Sequence, residues 1–293
     1  MSVYKPTVAN FSAYVLPAVL VFGFCTIIPI TFTTVTSLFR WQVGTSLQFI
    51  GLDNWHRLLT DPFFWNAFGR NLTLVAIAVL GQVGLGFGLA MFFSSKAVRY
   101  AQFYRAVLFI PVVLSAIVVG FLWNIMYNRQ FGLVNLFLES VGLESLVQEW
   151  LGNPRIVLYS IGVSKVWQYV GLHLMIILAG IQSISPEIFD SAAVDGAGPI
   201  RRAVSIVLPL IRNTLTVSAM ISIATNMKEF DHVYAMTRGG PGQSSTVLAL
   251  YAYRESIDRL NLGYGGTIAI GILLLSAMLI LPLRTLVLGK REA

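Results

Sequence analysis

Cysteine and charged residues are scarce in this sequence. Its single cysteine, Cys25, lies inside an apolar run, so an intrachain disulfide is excluded and the thiol gives no information about the compartment. Only 11% of the 293 residues are charged, whereas 56% are hydrophobic. A soluble domain of this size would carry far more charge. The composition therefore predicts a polytopic membrane protein.

The motifs of common catalytic and metal sites are also lacking. The three histidines, His56, His173 and His232, have no companions at metal-ligand spacing. The sequence contains no nucleophile elbow, no zinc motif and no phosphate-binding loop of the form Gly-x-x-x-x-Gly-Lys-Ser/Thr. We therefore expect no enzymatic activity, no bound metal and no cofactor in this chain. Any ATP chemistry must be supplied by a partner protein.

Six apolar stretches are long enough to cross the hydrocarbon core of a membrane, which takes about 20 helical residues. Lys165 interrupts the fourth stretch and Arg212 the fifth. The prediction is an all-α fold with six transmembrane helices in one transmembrane domain over 1–293, so that both termini lie on the same side. The predicted spans are about 11–32, 72–93, 106–127, 157–178, 206–227 and 267–286.

The positions of the basic residues predict the orientation of these spans. The net charge is +7, but the basic residues form no run, which speaks against nucleic-acid binding. Lys and Arg accumulate in short cytoplasmic loops. The connections and ends that are rich in them are therefore expected inside the cell, with both termini cytoplasmic. These basic residues are Lys96, Arg99, Arg105, Arg201, Arg202, Arg212, Arg284, Lys290 and Arg291.

A polar island at about 185–197 separates the fourth and fifth spans. Ser185 can cap a helix and Pro186 suits its first position, while Gly196 favours its end. A helix of two to three turns would be marginal in water on its own. We therefore expect this helix to pack against something.

The island resembles the EAA loop of binding-protein-dependent ABC transporter permeases. The resemblance rests on Pro186–Ala197 (Pro-Glu-Ile-Phe-Asp-Ser-Ala-Ala-Val-Asp-Gly-Ala) followed at the family's spacing by Leu208–Pro209, although the eponymous triplet reads Asp-Ser-Ala here. Gly51–Trp55, Thr237–Gly242 and the Tyr-x-Tyr-Arg of 251–254 are similar to sugar-type permeases of the maltose and glycerol-phosphate class. Together these segments cover almost the whole chain.

The resemblance implies the type I permease fold of ABC importers in a prokaryotic cell membrane. In that family the helix of the EAA loop is a coupling helix that docks in a groove of a cytoplasmic ATPase. The implied partners are a second homologous permease, which makes a heterodimer, two cytoplasmic ATPase subunits that bind the ATP, an extracytoplasmic sugar-binding protein, the sugar and membrane lipid. The implied coupling residues are Glu187, Asp190, Ser191, Ala192, Asp195 and Gly196.

The resemblance also implies a sugar site on the fourth and fifth spans. Aromatic and hydrogen-bonding side chains suit a sugar, because its apolar ring faces stack and its hydroxyls need donors and acceptors. A competing interpretation is that Lys165, Lys228 and Glu229 only anchor helix ends at the membrane surface. The implied substrate-binding residues are Trp167, Gln168, Tyr169, Leu172, Ser222, Thr225, Asn226 and Glu229.

Two other classes of protein compete with a carbohydrate importer. An ion-coupled secondary transporter could use intramembrane charges as a proton relay. A membrane-embedded enzyme could use Glu229 and Asp231 as an acid pair. The isolated polar helix favours the ABC permease, since an ion-coupled carrier has no evident use for it. The expected cargo is an oligosaccharide or related polyol, whose identity the sequence does not specify.

Overall fold

The structure is a computed structural model that describes residues 8–95 and 98–288. Lys96, Lys290 and Arg291, which contribute to the predicted orientation, lie outside the described residues. The chain divides into two units. The first contains the described residues up to Pro62 together with Tyr251–Gly271, and the second contains Phe63–Leu250 together with the described residues from Ile272 onward.

Up to Pro62, the first unit contains two helical segments separated by a short hairpin. Its hairpin is antiparallel, with Phe39 opposite Phe49, and the Asn54 Nδ2 donates to the carbonyl oxygens of Ser37 and Phe39 at 2.8 and 2.9 Å. The elements are α1 (Val8–Phe22), a π-helical segment (Gly23–Ile27), α2 (Ile28–Thr36), β1 (Phe39–Arg40), β2 (Gln48–Phe49) and α3 (Asp53–Thr60).

Two tyrosines and one carboxylate hold this unit together after α3. The hydroxyls of Tyr251 and Tyr264 donate to Asp61 Oδ2 at 2.6 and 2.5 Å, and the Arg57 guanidinium lies 3.7 Å from the Tyr264 ring centroid. Burial and the hydrogen bond to Asp61 raise the pKa of the Tyr251 hydroxyl, so it stays a donor at neutral pH. Such a connected set of polar side chains favours one geometry.

The second unit is built around one long helix, α9. Its elements are α4 (Pro62–Ala78), a π-helical segment (Val79–Leu85), α5 (Gly86–Ser94), α6 (Ala101–Val113), α7 (Ala116–Met126), α8 (Leu133–Ser140), a 3₁₀ turn (Glu144–Leu146), α9 (Val157–Gln182), α10 (Pro186–Val194), α11 (Pro199–Arg201), a π-helical segment (Arg202–Val207), α12 (Leu208–Leu210), α13 (Arg212–Met227) and α14 (Asp231–Thr237). The remaining elements of the chain are α15 (Leu248–Tyr253), a π-helical segment (Arg254–Asp258) and α16 (Leu262–Leu288).

The helix α9 is buried on most of its surface because α5, α6 and α13 pack around it. Close approach of α5 depends on Gly86, where an added Cβ would lie 3.1 Å from the Leu174 backbone nitrogen. An apolar cluster at this end of the unit contains Ile177 and Ile181 of α9 with Val207 and Ile211. Burial of such side chains supplies the main packing energy.

In the parts of the chain that the structure describes, four helical stretches are long and apolar enough to cross a membrane: Tyr14–Thr36, Pro62–Ser94, Val157–Gln182 and Leu262–Thr285. The other two predicted spans are bent. Ala101–Val113 meets Ala116–Met126 at 101°, and Pro199–Leu210 meets Arg212–Met227 at 78°. The count rises to six when each bent pair forms one span.

A proline precedes each bend by a few residues. Between α6 and α7, Leu114 and Ser115 adopt extended backbone angles (ψ 144° and 135°), and Pro111 lies in the last turn of α6, three residues before Leu114. Between α12 and α13, Ile211 leaves the helical region (φ −99°, ψ 15°) two residues after Pro209. A proline removes a backbone donor and crowds the preceding turn, so helices bend near it. The predicted spans 106–127 and 206–227 are therefore not straight helices.

Candidate functional site

The helix α10 occupies Pro186–Val194, inside the island predicted at 185–197. It ends in a Schellman motif: the N–H of Ala197 donates to the Ala192 carbonyl at 2.9 Å and the N–H of Gly196 donates to the Ala193 carbonyl at 3.1 Å. Gly196 has a φ of 69°, the left-handed conformation that this motif requires. Ser185 stands at the N-cap position, but its side chain makes no capping hydrogen bond within the described residues, so that part of the prediction is wrong.

One face of α10 is buried and the other is exposed. Ala192 is buried, and Phe189 packs against the apolar cluster that contains Ile177 and Ile181 of α9. The exposed side carries three carboxylates together with Val194, which is 89% exposed. Among the predicted coupling residues, Ala192 faces inward. Glu187, Asp190, Ser191, Asp195 and Gly196 are exposed.

The predicted substrate residues separate into a buried set and an accessible set. Ser222, Asn226 and Glu229 recur at intervals of four and three residues, and all three are buried. Thr225 lies on the neighbouring exposed face of α13 with Ile221. On α9, Gln168 is buried, Trp167 is 39% exposed, and Tyr169 and Leu172 are half-buried.

A buried charged cluster joins α9 to the corner between α13 and α14. Lys165 is 2% exposed and Glu229 is 7% exposed, and the Lys165 ammonium pairs with Glu229 Oε2. Glu229 Oε1 accepts the backbone N–H of His232 at 2.9 Å. The interpretation of Lys165 and Glu229 as surface anchors of helix ends is therefore wrong, whereas Lys228 is exposed. Asp231, the other member of the considered acid pair, is also exposed.

The cluster continues to the break between α6 and α7. The Nε2 of Gln168 donates to the Leu114 carbonyl at 2.9 Å. Since that amide nitrogen is engaged there, the Oε1 of Gln168 accepts from His232 Nε2 at 2.8 Å. The Nδ1 of the same ring lies 3.1 Å from Glu229 Oε1. Gln168 and Glu229, two predicted substrate residues, are thus linked through the His232 ring.

A second set of buried polar groups fastens α13 to α4 and its π-helical continuation. Ser222 Oγ donates to Gln82 Oε1 at 2.8 Å, and Gln82 Nε2 donates to the Lys165 carbonyl at 3.3 Å. Asn71 Nδ2 donates to the carbonyls of Asn226 and Met227 at 3.0 and 3.1 Å. The side-chain oxygen of Asn226 has no hydrogen-bond partner among the described residues.

Several members of this network are not predicted from the sequence. His232, Gln82 and Asn71 belong to no recognisable motif. The available signal was their type: an amide or imidazole within apolar surroundings has to find partners. No spacing rule indicates which partners, since the paired residues are far apart in sequence.

Aromatic side chains pack around Trp167, one member of the accessible set. The Trp167 ring meets Trp123 edge to face at a centroid distance of 5.9 Å, and Trp123 lies 5.0 Å from Tyr127. Trp123 and Tyr127 are buried, so their packing fixes the orientation of the more exposed Trp167. Tyr169 lies on a different side of α9, where its ring centroid is 6.4 Å from that of His232.

Comparison with known proteins identifies the family. The model of the family described as binding-protein-dependent transport system inner membrane component matches residues 82–291. The chain belongs to this family. It is accordingly the membrane permease component of a transport system that depends on a binding protein, and the relatives in this family are transport proteins rather than enzymes.

Individual relatives align with most of this chain. A probable ABC transporter permease of Pyrococcus horikoshii is 31% identical, with 95% of each chain covered. The sulfoquinovosyl glycerol transport system permease of Agrobacterium fabrum is 31% identical over 89% of this chain and 84% of that protein.

A solved structure shows the same fold. It is a bacterial alginate ABC transporter in complex with an alginate pentasaccharide-bound periplasmic protein. One of its chains is 22% identical and superposes with a TM-score of 0.80 over 93% of this chain and 92% of that one. The predicted all-α fold of an ABC importer permease is therefore confirmed.

Proposed function

We propose that this permease is one of two homologous membrane subunits of an ATP-driven importer of an oligosaccharide or related polyol. The observation that carries the proposal is α10: a short helix whose Phe189 packs on the apolar cluster of α9 while its carboxylates face outward. Such a helix is positioned to receive force from a partner. The carbohydrate cargo of the relatives supports a sugar.

ATP binding and hydrolysis belong to two cytoplasmic ATPase subunits in this proposal. The chain lacks a phosphate-binding loop of the Gly-x-x-x-x-Gly-Lys-Ser/Thr form. The exposed residues of α10 dock on the ATPase, both termini face the cytoplasm, and the sugar-binding protein docks on the opposite side. Closure of the ATPase pair moves α10, and with it α9, so that the cavity opens alternately to each side.

The sugar contacts are proposed to come from the accessible set. Trp167, Tyr169, Leu172 and Thr225 reach the surface of the second unit, where the second permease would complete the pathway. Gln168, Ser222, Asn226 and Glu229 lie behind them and are held by hydrogen bonds or an ion pair within the chain. The exposed face of Trp167 offers the stacking surface that a sugar ring needs.

Replacing Trp167 with alanine is expected to lower sugar uptake about tenfold, because an aromatic stacking contact contributes up to about 1.5 kcal/mol beyond its buried area. Tyr159→Ala is the matched control, since Tyr159 is an exposed aromatic residue on the same helix. Uptake is measured per membrane-inserted transporter. Equal effects of the two variants would argue against Trp167 as a sugar contact.

Purification of the tagged chain tests the proposed assembly. Recovery of a second permease, an ATPase and a binding protein is expected after extraction in mild detergent. The recovered complex is then reconstituted into liposomes and assayed with radiolabelled maltose, trehalose and raffinose, with radiolabelled glutamine as the amino-acid control. ATP-dependent uptake of a sugar supports the proposal. A chain that transports a solute down an ion gradient without ATP would instead support an ion-coupled carrier.

A further inference from the structure

The buried charged cluster of the second unit points to a role in coupling. We propose that Lys165, Gln168, Glu229 and His232 form a polar junction that transmits movement of α9 to the break between α6 and α7 and to the corner between α13 and α14. In this role they are positioning residues that do not touch the sugar. The inference rests on the proposed function, since it concerns how movement of α10 reaches the translocation pathway.

The ion pair is the centre of the polar junction. Lys165 and Glu229 are both buried, and they are 64 residues apart in sequence. A buried charge inside a membrane-spanning segment is costly unless it is paired. Separation of α9 from the α13–α14 corner would leave both charges unpaired. The two elements are therefore expected to move together.

Glu229 also fixes the corner itself. Its Oε2 pairs with Lys165, while its Oε1 accepts the backbone N–H of His232 in the first turn of α14. The residues from Lys228 to Phe230 have left the helical path of α13. One carboxylate thus holds the end of one helix and the start of the next.

Gln168 connects the ion pair to the break between α6 and α7. It lies three residues after Lys165 on α9, accepts from His232, and donates to the carbonyl of Leu114. Leu114 is extended and ends α6, so its carbonyl has no place in a continuing helix. The Gln168 amide therefore satisfies an acceptor that exists only because the span is broken there.

The same helix leads directly to α10. No proline interrupts α9 between Lys165 and its end at Gln182, and α10 begins four residues later, at Pro186. Ile184 and Phe189 both pack on the apolar cluster of Ile177, Leu178 and Ile181. A displacement of α10 is therefore transferred to α9 through packed side chains, and along α9 to Lys165 and Gln168.

The partners of these side chains distinguish a junction from a sugar site. The carboxylate of Glu229 is occupied by Lys165 and His232, and both polar ends of the Gln168 amide are occupied by Leu114 and His232. The four side chains of the junction are also buried, so a sugar hydroxyl reaches them only after the residues packed around them move. The accessible Trp167 and Thr225 offer contacts that need no such movement.

The test uses the complete transporter with the double substitution Lys165→Met and Glu229→Gln. Removing both charges avoids a buried unpaired charge, and the introduced glutamine amide retains an oxygen for the His232 N–H. ATP hydrolysis is measured alone, with sugar-free binding protein, and with binding protein loaded with a mixture of maltose, trehalose and raffinose. We expect unchanged basal hydrolysis and an about tenfold or greater loss of stimulation by both forms of the binding protein.

Gln168→Met provides a second variant that leaves the ion pair intact, in case the double variant fails to assemble. The same loss of stimulation is expected for it. Lys228→Met removes an exposed neighbouring cation and serves as the control with wild-type stimulation.

Two outcomes for these variants would contradict the proposed role of the polar junction. One is wild-type stimulation in both Lys165→Met/Glu229→Gln and Gln168→Met, or in the second alone if the first does not assemble. The other is a loss confined to the sugar-dependent increment, which would identify the four residues as sugar ligands. A wild-type complex that takes up solute down an ion gradient without ATP, and whose ATP hydrolysis responds to none of the three sugars, would instead refute the proposed function, and the junction with it.

Discussion

A Gly196→Val variant is expected to insert into the membrane normally but to lose about nine-tenths of its coupled sugar uptake. Gly196 ends α10 with a φ of 69°, a conformation that costs other residues about 1–2 kcal/mol. That cost corresponds to a roughly 5–30-fold shift of a conformational equilibrium. The shift favours states in which the Schellman motif is open and α10 no longer presents its exposed face in the same position.

Gly198→Val is the matched control for this substitution. Among the described residues, no heavy atom lies within 4 Å of an added Cβ at either glycine, so neither variant creates a clash at that atom. Gly198 has a φ of −67° and ψ of 169°, which valine adopts readily before Pro199. Uptake and ATP hydrolysis are measured per inserted chain in both variants. An equal loss at Gly198 would show that bulk at the loop surface, rather than the left-handed turn, is responsible.

The sequence predicts α10 well because its signals are local. Pro186 and Glu187 suit the first turn and Gly196 suits the end, and the structure has the helix at Pro186–Val194. The missing Ser185 cap did not change the outcome, since the Schellman motif at the other end needs only Gly196 and backbone groups. Several independent local preferences agree there, so one wrong detail is tolerated.

The broken spans were harder to predict. Apolar composition indicates that a segment resides in the membrane, but it is nearly the same for a straight helix and for two helices joined at an angle. Pro209 is a local sequence signal for the bend at Ile211, two residues later. At Leu114, Pro111 is a similar signal, but the carbonyl that the break leaves without a helical donor is paired with Gln168, 54 residues away. No window of sequence around Leu114 contains that partner.

The buried network illustrates the same limit for the candidate site. The four- and three-residue intervals of Ser222, Asn226 and Glu229 place them on one helical face, which sequence alone shows. Whether that face meets a sugar or other helices depends on Lys165 and Gln82, which come from distant segments. The resemblance to sugar-type permeases implied these three residues as sugar contacts, and it did not predict their burial.

Replacing Asn71 with aspartate is expected to destabilise the second unit by about 3 kcal/mol or more, because each buried polar group left without a partner costs about 1–3 kcal/mol. Asn71 Nδ2 donates to two carbonyls at the end of α13, while Oδ1 accepts the N–H of Leu248 at 2.8 Å. Aspartate has the same shape and retains the acceptor, but it loses both donors. The melting temperature of the detergent-solubilised chain is expected to fall by about 5 °C or more.

Thr73→Val is the control on the same helix, because the Thr73 hydroxyl donates only to the Gly69 carbonyl of α4 itself. Its melting temperature is expected to stay close to that of the wild type. Asn71 lies on the buried stripe of α4 with Phe64, Ala67 and Leu74, so apolar packing also holds this helix in place. An unchanged melting temperature for Asn71→Asp would show that this packing suffices.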